Sequence, residues 1–480
     1  MEQIKIKPRI LLINPLYTLI SGIKESAGHA VPLNLCYLAS YLRENIDCEI
    51  SILDCEVMAI SFKQIADHIK NFNPTIVGIT SPTPAFDHIL RIARITKKIN
   101  PNISVILGGP HPSALPADSI KDKNVDFLVL REGEITFKEL IENITSGKKD
   151  YKSINGLVFK DKGKVIFTPP RSYIENLDEL PFPARDLLDI DKYCSAPTKK
   201  VSSYRATSLL SGRGCPYNCI HCVSNCLWAR KFRVRSPNNI VDEIEYCVKK
   251  YKIREFNFYD DTFTINENQV LGVCNEIIKR RLKISWICFS RVNTLTQNMV
   301  RAMKRAGCKK ISFGLESGSQ KILNIMRKNG TLKMARKAVN MVNKEGLEVH
   351  ASFMIGNVGE TKKTVNKTIR FAKSLKLDNA TFFITIPYPG TDLYSVAVKK
   401  GYITPDTQYC DFAPMTNSVP ILVQGNISAD NLLKLRKKAF RQFYLRPTYI
   451  LRKFTKIDSF DEFKSLIKGF LLFLRIQQKT

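Results

Sequence analysis

The chain has 480 residues and 44% hydrophobic side chains, too long for one ordinary core and too polar for a bundle of membrane spans; its longest apolar run, Phe470-Leu471-Leu472-Phe473-Leu474, is far below the roughly 20 residues a spanning helix needs. The opening MEQIKIKPRILLIN runs into a strand-like segment without an apolar signal region, so a cytoplasmic location is expected, where 13 cysteines do not form a disulfide framework and clustered ones hold metal or do chemistry. A net charge of +30 favours an anionic partner (a membrane surface, a nucleic acid or a phosphorylated substrate) unless the lysines merely solvate the surface.

From Arg9 to about Phe159, short apolar runs alternate with amphipathic stretches. Residues 9–14, 50–54, 75–80, 104–109 and 127–130 read as strands, and 32–42, opening with Pro32, as a helix. Continuous apolar strands alternating with helices predict a parallel sheet covered on both faces, a doubly wound (Rossmann- or flavodoxin-like) α/β domain over 1–160. Ligands of such sheets bind outside the carboxyl ends of the strands, where the sequence places Asn14-Pro15, Asp54, Thr80 to Pro84, Gly108 to His111 and Glu132 to Glu134. No G-x-G-x-x-G follows the first strand, which argues against a dinucleotide site.

The prolines Pro169, Pro170, Pro181 and Pro183 mark a linker over 161–202. A second series follows, with strands at 207–210, 255–259, 285–289, 310–315, 350–355 and 381–386. Helical patterns separate them, such as 331–346, with Ala335, Ala338, Val339 and Val342 on one face and Gly346 as its stop. Six strand–helix units over 203–400 read as a (β/α)6 barrel, complete or open. The region 401–480 reads as helical and basic. Ala439-Phe440, Phe443-Tyr444 and Tyr449-Ile450 give it aromatic faces, and Lys434, Arg436, Lys437, Lys438, Arg441, Arg446, Arg452 and Lys453 give it charge. That mixture suits peripheral docking on the anionic inner face of a membrane, or a helical cap on the barrel kept soluble by its lysines.

After the first barrel strand comes SGRGCPYNCIHC, residues 211–222, at the face where barrel enzymes keep their chemistry. Four thiolates close a metal site, whereas the three of Cys215, Cys219 and Cys222 leave a coordination position open for a reactant. A 4Fe-4S cluster normally takes four cysteines, so three imply one iron free to bind something else. Adding Cys226 would make a structural zinc or an ordinary iron-sulfur site, and local spacing leaves both readings open.

The C-x3-C-x2-C loop in this place resembles the radical S-adenosylmethionine superfamily, and the whole chain resembles its subgroup with an N-terminal cobalamin-binding domain. The matching stretches are Pro32 to Ala39, Gly108-Gly109-Pro110-His111-Pro112-Ser113, Arg131-Glu132-Gly133-Glu134, Leu180-Pro181-Phe182-Pro183-Ala184-Arg185, Tyr259-Asp260-Asp261-Thr262-Phe263, Phe313-Gly314-Leu315-Glu316-Ser317-Gly318, Met354 to Thr361 and Pro387-Tyr388-Pro389-Gly390-Thr391. The resemblance implies a partial barrel and three cofactors: a 4Fe-4S cluster on Cys215, Cys219 and Cys222, S-adenosylmethionine, and cobalamin. It implies contacts to S-adenosylmethionine from Asp260, Asp261, Arg291 and Glu316, the last two being alternatively a structural ion pair, with close backbone approach at Gly356, Gly359 and Glu360, which are otherwise only a turn and a helix start. His221 takes a position that is often aromatic in the family. Thr80, Ser81, Gly108, Gly109, His111, Glu132 and Glu134 would cradle cobalamin, without the D-x-H-x-x-G that supplies a histidine to cobalt in many cobalamin proteins.

The activity so implied is reductive cleavage of S-adenosylmethionine to a 5'-deoxyadenosyl radical and methylation of an unactivated carbon, with a flavodoxin or ferredoxin as electron donor and a small-molecule or lipid-like substrate. A second reading resembles the anaerobic oxidative cyclases of magnesium-protoporphyrin esters. A third, a basic iron-sulfur protein binding nucleic acid, leaves the barrel and the nucleoside motifs without a purpose.

Overall fold

The computed structural model describes residues 7–16, 28–196, 199–413 and 427–454. The apolar runs of the first half become strands buried on both faces: β1 (Arg9–Asn14), β2 (Glu49–Asp54), β3 (Ile76–Thr80), β4 (Ser104–Gly108) and β5 (Phe127–Val129). They pair in parallel in the order β2-β1-β3-β4-β5, so the direction of winding reverses between β1 and β3, the flavodoxin-like order. Helices Leu33–Asn45 and Glu134–Thr145 cover one face, and Phe62–Phe72 and Phe86–Ile99 the other, each closing its own apolar cluster.

The sheet is not purely parallel, as expected, but mixed. A hairpin of β6 (Leu157–Asp161) and β7 (Lys164–Phe167) adds two antiparallel strands beyond β5, carrying the sheet past residue 160 to Phe167. Its two-residue loop, Lys162-Gly163, has positive φ at both positions (49° and 80°), the geometry that matches the twist of two antiparallel strands.

The second half opens with β8 (Ala206–Leu209) and a small antiparallel pair, β9 (Gly212–Arg213) and β10 (Arg233–Val234). It continues with β11 (Glu255–Phe258), β12 (Ser285–Ser290), β13 (Cys308–Glu316), β14 (Glu348–Ile355) and β15 (Asn379–Ile384). These form a six-stranded, all-parallel sheet in the order β15-β14-β13-β12-β11-β8, whose end strands do not pair with one another: an open barrel. Outward side chains Phe256, Phe258, Trp286, Phe313, Phe353 and Phe382 pack under the surrounding helices, including Leu332–Lys344, whose cap is the Thr331 hydroxyl accepting from the Met334 amide at 3.1 Å.

The C-terminal helix Ala429–Tyr444 corrects the membrane expectation for its aromatic residues. Phe440 and Phe443 lie 5.4 and 6.3 Å from the Phe382 ring, and the Tyr444 hydroxyl donates to the Ala380 carbonyl at 2.8 Å. Tyr449 is buried too, its hydroxyl donating to the Asp378 carbonyl at 2.9 Å. These rings form part of the barrel's outer core, because β15 is an edge strand whose apolar face needs a cover. Residues 414–426 and 455–480, with Phe470 to Leu474, and the Lys453 side chain lie outside the described residues. No described helix is long and apolar enough to cross a membrane.

Candidate functional site between the two sheets

The carboxyl ends of the two sheets face each other across a cavity of about 240 Å³. The first sheet contributes Thr80, Gly108, Gly109, Glu132 and Glu134, and the barrel contributes Gly212 to Gly214, Trp228, Tyr259 and Asp261. From this mouth the cavity runs down into the apolar core beside Gly78, between Leu12, Ile106, Val129 and Phe137. At Gly109 φ is +95°, and a Cβ there would stand 3.2 Å from both the Ser81 nitrogen and Thr80 Oγ1, so the floor of the mouth is bare backbone. Thr80 Oγ1 accepts from Asn34 Nδ2 at 2.8 Å. A polar mouth floored by bare backbone and leading to an apolar depth suits cobalamin, a flat corrin with a nucleotide tail.

Two residues expected in that cradle turn away from it. Ser81 is buried, donating to the Ile79 carbonyl at 3.2 Å while its own carbonyl accepts from the His111 amide at 3.0 Å. The His111 ring is fully buried, 3.9 Å from the Phe86 centroid and 5.0 Å from that of Tyr409, with Nδ1 3.2 Å from Thr83 Oγ1. Burial pushes its pKa down to about 4, so it packs as a neutral ring.

Glu132 and Glu134 do line the cavity, but their carboxylates belong to the domain interface. Arg213 donates to Glu132 at 2.7 Å and to Glu134 at 2.6 Å, and Arg233 donates to Glu132 at 2.8 Å, all four side chains being buried. Glu132 also accepts from the Ile174 amide of the linker at 2.9 Å. Burial alone would raise the Glu134 carboxyl, yet the Arg213 guanidinium holds it below the usual carboxylate range. The cradle expectation is corrected accordingly: these acids clamp the cysteine loop to the first domain.

The cysteine loop is fixed at its root by Asp260, whose Oδ1 accepts from the Ser211 amide at 3.0 Å and the Ser211 hydroxyl at 2.7 Å; burial raises this carboxyl to about 6. Asp260 is therefore an anchor inside the fold, whereas Asp261 opens onto the cavity and accepts from Ser224 Oγ at 2.7 Å. At Gly214, with φ +91°, a Cβ would lie 2.0 Å from the Lys231 carbonyl oxygen, so only glycine lets the chain enter the loop. Cys215 and Cys219 are buried, Cys222 is half-buried, and all are free. Burial pushes the Cys222 thiol up to about 12, a penalty that coordinated iron removes by its own positive charge. An all-sulfur donor set suits an iron-sulfur cluster, in which each thiolate takes its own iron; among the described residues no three His, Cys, Asp or Glu side chains converge on a single ion. Cys226 points elsewhere, 3.7 Å from the Ser113 carbonyl of the first domain and against Gly390.

On the barrel side, Arg291 Nη1 lies 3.4 Å from Cys219 Sγ, and its guanidinium stacks 3.8 Å over the Tyr217 ring. Its Nη2 donates to the Lys328 carbonyl. Glu316 ends β13 at φ +60°, where the register with β14 slips, a strained non-glycine position of the kind that collects at functional sites. Its carboxylate accepts from Lys328 Nζ at 2.8 Å; burial opposes its charge, and Lys328 holds it below the usual range all the same. Arg291 and Glu316 are thus not paired with each other, and Lys328, which sequence reasoning missed, ties the two together. His221 lies beside Glu316, and burial lowers its pKa to about 4.

The turn after β14 differs from expectation. Glu360 accepts from the Gly356 and Asn357 amides at 2.7 and 3.0 Å, and a Cβ on Gly356 would meet Leu432 of the C-terminal helix at 3.2 Å. The close approach that this glycine permits is to a leucine, and Glu360 is the brace of the turn. Besides Lys328, sequence reasoning missed Arg213, Arg233, Trp228 and Tyr259 as parts of the site; only Tyr259 carried a signal, standing at the start of a motif.

A model of the radical SAM superfamily matches residues 209–372, and one of the B12 binding domain matches residues 22–141. An uncharacterised methyltransferase of Pyrococcus horikoshii is 36% identical over 97% of this chain and 98% of its own length. The anaerobic magnesium-protoporphyrin IX monomethyl ester cyclase of Rubrivivax gelatinosus is 29% identical over 93% of this chain and 79% of its own. Among solved structures, the radical S-adenosylmethionine methyltransferase TsrM of Kitasatospora setae, with cobalamin and a [4Fe-4S] cluster bound, shares the fold with a TM-score of 0.71 at 16% identity, over 92% of this chain and 90% of that one. The chain is an enzyme of the radical SAM superfamily, in the group that carries a B12-binding domain.

Proposed function

We propose that the enzyme methylates an unactivated carbon of a small-molecule substrate. The observation that carries this reading is the cavity itself, whose one wall is the sheet end of the B12-binding domain and whose other wall is the cysteine loop with Tyr259 and Asp261. When bound, the cofactors would supply a 5'-deoxyadenosyl radical from S-adenosylmethionine on one side and a methyl group from cobalamin on the other. Cys215, Cys219 and Cys222 would hold the cluster. Arg291 would place a positive charge beside the Cys219 sulfur, and Glu316 with Lys328 would offer an acceptor and a donor to the amino and carboxylate groups of S-adenosylmethionine. Thr80, Gly108 and Gly109 would bear on the corrin, and the apolar depth beside Gly78 would take its tail. The Glu132–Arg213–Glu134 clamp would keep the two walls in register and exclude water from between them. A flavodoxin or ferredoxin would supply the electron.

The test is anaerobic turnover of reconstituted enzyme with cobalamin, reductant, methyl-deuterated S-adenosylmethionine and a cell extract. Methyl transfer gives 5'-deoxyadenosine, S-adenosylhomocysteine and one deuterated component. Similarity to the Rubrivivax cyclase supports a second reading, oxidative ring closure; substrate-dependent 5'-deoxyadenosine without S-adenosylhomocysteine or label would overturn the first reading and point to cyclase or rearrangement chemistry.

A further inference from the structure

The linker does more than join the two sheets. Three of its groups fasten to one carboxylate, Glu255 at the foot of β11: Ser195 Oγ donates at 2.7 Å, Ser202 Oγ at 2.6 Å and the Val201 amide at 3.3 Å. Asn257, the next inward residue of β11, donates to Ser195 Oγ at 2.8 Å. Between these fastenings Lys199 enters the barrel. Its Nζ lies 3.0 Å from the Tyr259 hydroxyl, and 4.4 and 5.5 Å from the ring centroids of Tyr259 and Phe289. Among the described residues no carboxylate pairs with this ammonium.

The sheet register says what else faces it. Phe289, Ser312, His350 and Asn379 are successive partners across β12, β13, β14 and β15, and their neighbours Cys288, Ile311, Val349 and Ala380 belong to the outer core, so this row looks inward. The next inward row, Gly314, Ser352 and Thr381, lies two residues nearer the cysteine loop, about 7 Å along the strands. His350 Nε2 is 3.1 Å from Thr381 Oγ1, and its Nδ1 is buried without a partner. Burial, with the positive charges of Lys310 and Lys199, lowers the ring's pKa to about 3, so it is a neutral imidazole. In the tautomer in which the Thr381 hydroxyl donates to Nε2, the proton sits on Nδ1, which has no acceptor of its own. Lys310 is occupied by Glu348 at 3.0 Å, so of the two lysines whose charge bears on His350 only Lys199 lacks an acid partner among the described residues. Lys199 is half-buried, so its ammonium can still be reached by an arriving anion. Tyr259, which touches it, is also a wall of the cofactor cavity.

We propose that Lys199, the Tyr259 hydroxyl and His350 Nδ1 form a recognition site for an oxyanion, a carboxylate or phosphate, carried by the substrate. The substrate enters with this group toward the linker and its reacting carbon toward the cavity. Calling the anion's carrier the substrate rests on the methyl-transfer reading; the anion site itself does not.

Calorimetric titration of the anaerobic full chain carrying its cluster, with inorganic phosphate and with acetate as probes, tests the site in wild type, Lys199→Gln and Lys199→Arg. The expected result is saturable binding of at least one probe, weakened about tenfold or more by Lys199→Gln and kept within about threefold by Lys199→Arg, with iron content and S-adenosylmethionine affinity equal in all three. Equal binding in wild type and Lys199→Gln, or saturable binding of neither probe, overturns the proposal. A second arm divides a cell extract into aqueous and organic phases, passes each over an anion exchanger, and follows the deuterated methyl. Label in a retained aqueous component identifies a soluble anion, and label in a retained organic component a lipid headgroup. Label confined to unretained material overturns the oxyanion while leaving methyl transfer standing. Absence of label from every fraction overturns methyl transfer alone, because calorimetry decides the anion site independently.

Discussion

Cys226 stands four residues after Cys222, yet its thiol reaches across the domain interface to the Ser113 carbonyl while the other three sulfurs stay in the loop. Cys226→Ala should therefore keep full iron and sulfide content after reconstitution, and Cys222→Ala should lose the cluster; elemental analysis with visible absorbance checks both. His111 makes a different claim. Its pKa falls from 6.5 to about 4 on burial, so above 6.5 the neutral ring is equally uncharged folded and unfolded and its packing counts in full. As pH drops below 6.5 the unfolded chain takes up a proton that the folded ring refuses, and stability declines until about pH 4, by roughly 3 kcal/mol. Urea unfolding at pH 7.5 and pH 5 should show His111→Phe losing less stability on acidification than wild type. An equal loss would mean that the ring is protonated in the fold.

At the scale of elements, the clamp between the Glu132–Glu134 segment and the β9–β10 arginines is where a small change should reach both walls of the cavity. Arg213→Ala leaves Glu134 buried without its partner and Glu132 with Arg233 alone, at a cost of about 3–5 kcal/mol. Thermal unfolding should start at a lower temperature, and limited proteolysis should cut the 161–202 linker sooner than in wild type; unchanged melting and cleavage would show that the clamp is not what holds the walls together. The linker is itself tied down by Arg185, fully buried, which donates to the Ser208 carbonyl at 2.8 Å and pairs with Glu243 at 2.7 Å.

What could be read in the sequence and what could not divides along these elements. Eleven strands were legible as apolar runs because most are buried on both faces in a parallel sheet, while β14 and β15 alternate buried with half-buried positions. The β6–β7 hairpin was not, since β7 is an exposed edge strand spelled Lys-Val-Ile-Phe; its one local signal was the Lys162-Gly163 turn. The cysteine loop was legible as three thiols within eight residues. Arg213 was not, because its acids lie 81 and 79 residues away, and no periodicity marks a partner at that distance. Lys328 and Lys199 were hidden among 74 basic residues, and only the fold shows that they enter the barrel.

For the whole molecule, the C-terminal helix completes the outer core of the open barrel at its last strand. Phe443 is fully buried against Phe382, and Phe443→Ala should cost about 3–5 kcal/mol, measured as a fall in the barrel's unfolding midpoint with the first domain's transition unmoved. A shift of both transitions together would mean that the chain unfolds as one unit.

The clamp also has a direction in time. Glu132 and Glu134 leave the ribosome well before Arg213 and Arg233, and domains generally fold N-terminal first during synthesis. The newborn B12-binding domain thus presents two solvated carboxylates at an open mouth, and the arginines that neutralise them arrive on the same strands that bring in the cysteine loop. The arginines that close the mouth and the cysteines thus come from one stretch of chain, and until it is made the cavity beside Gly78 has only one wall.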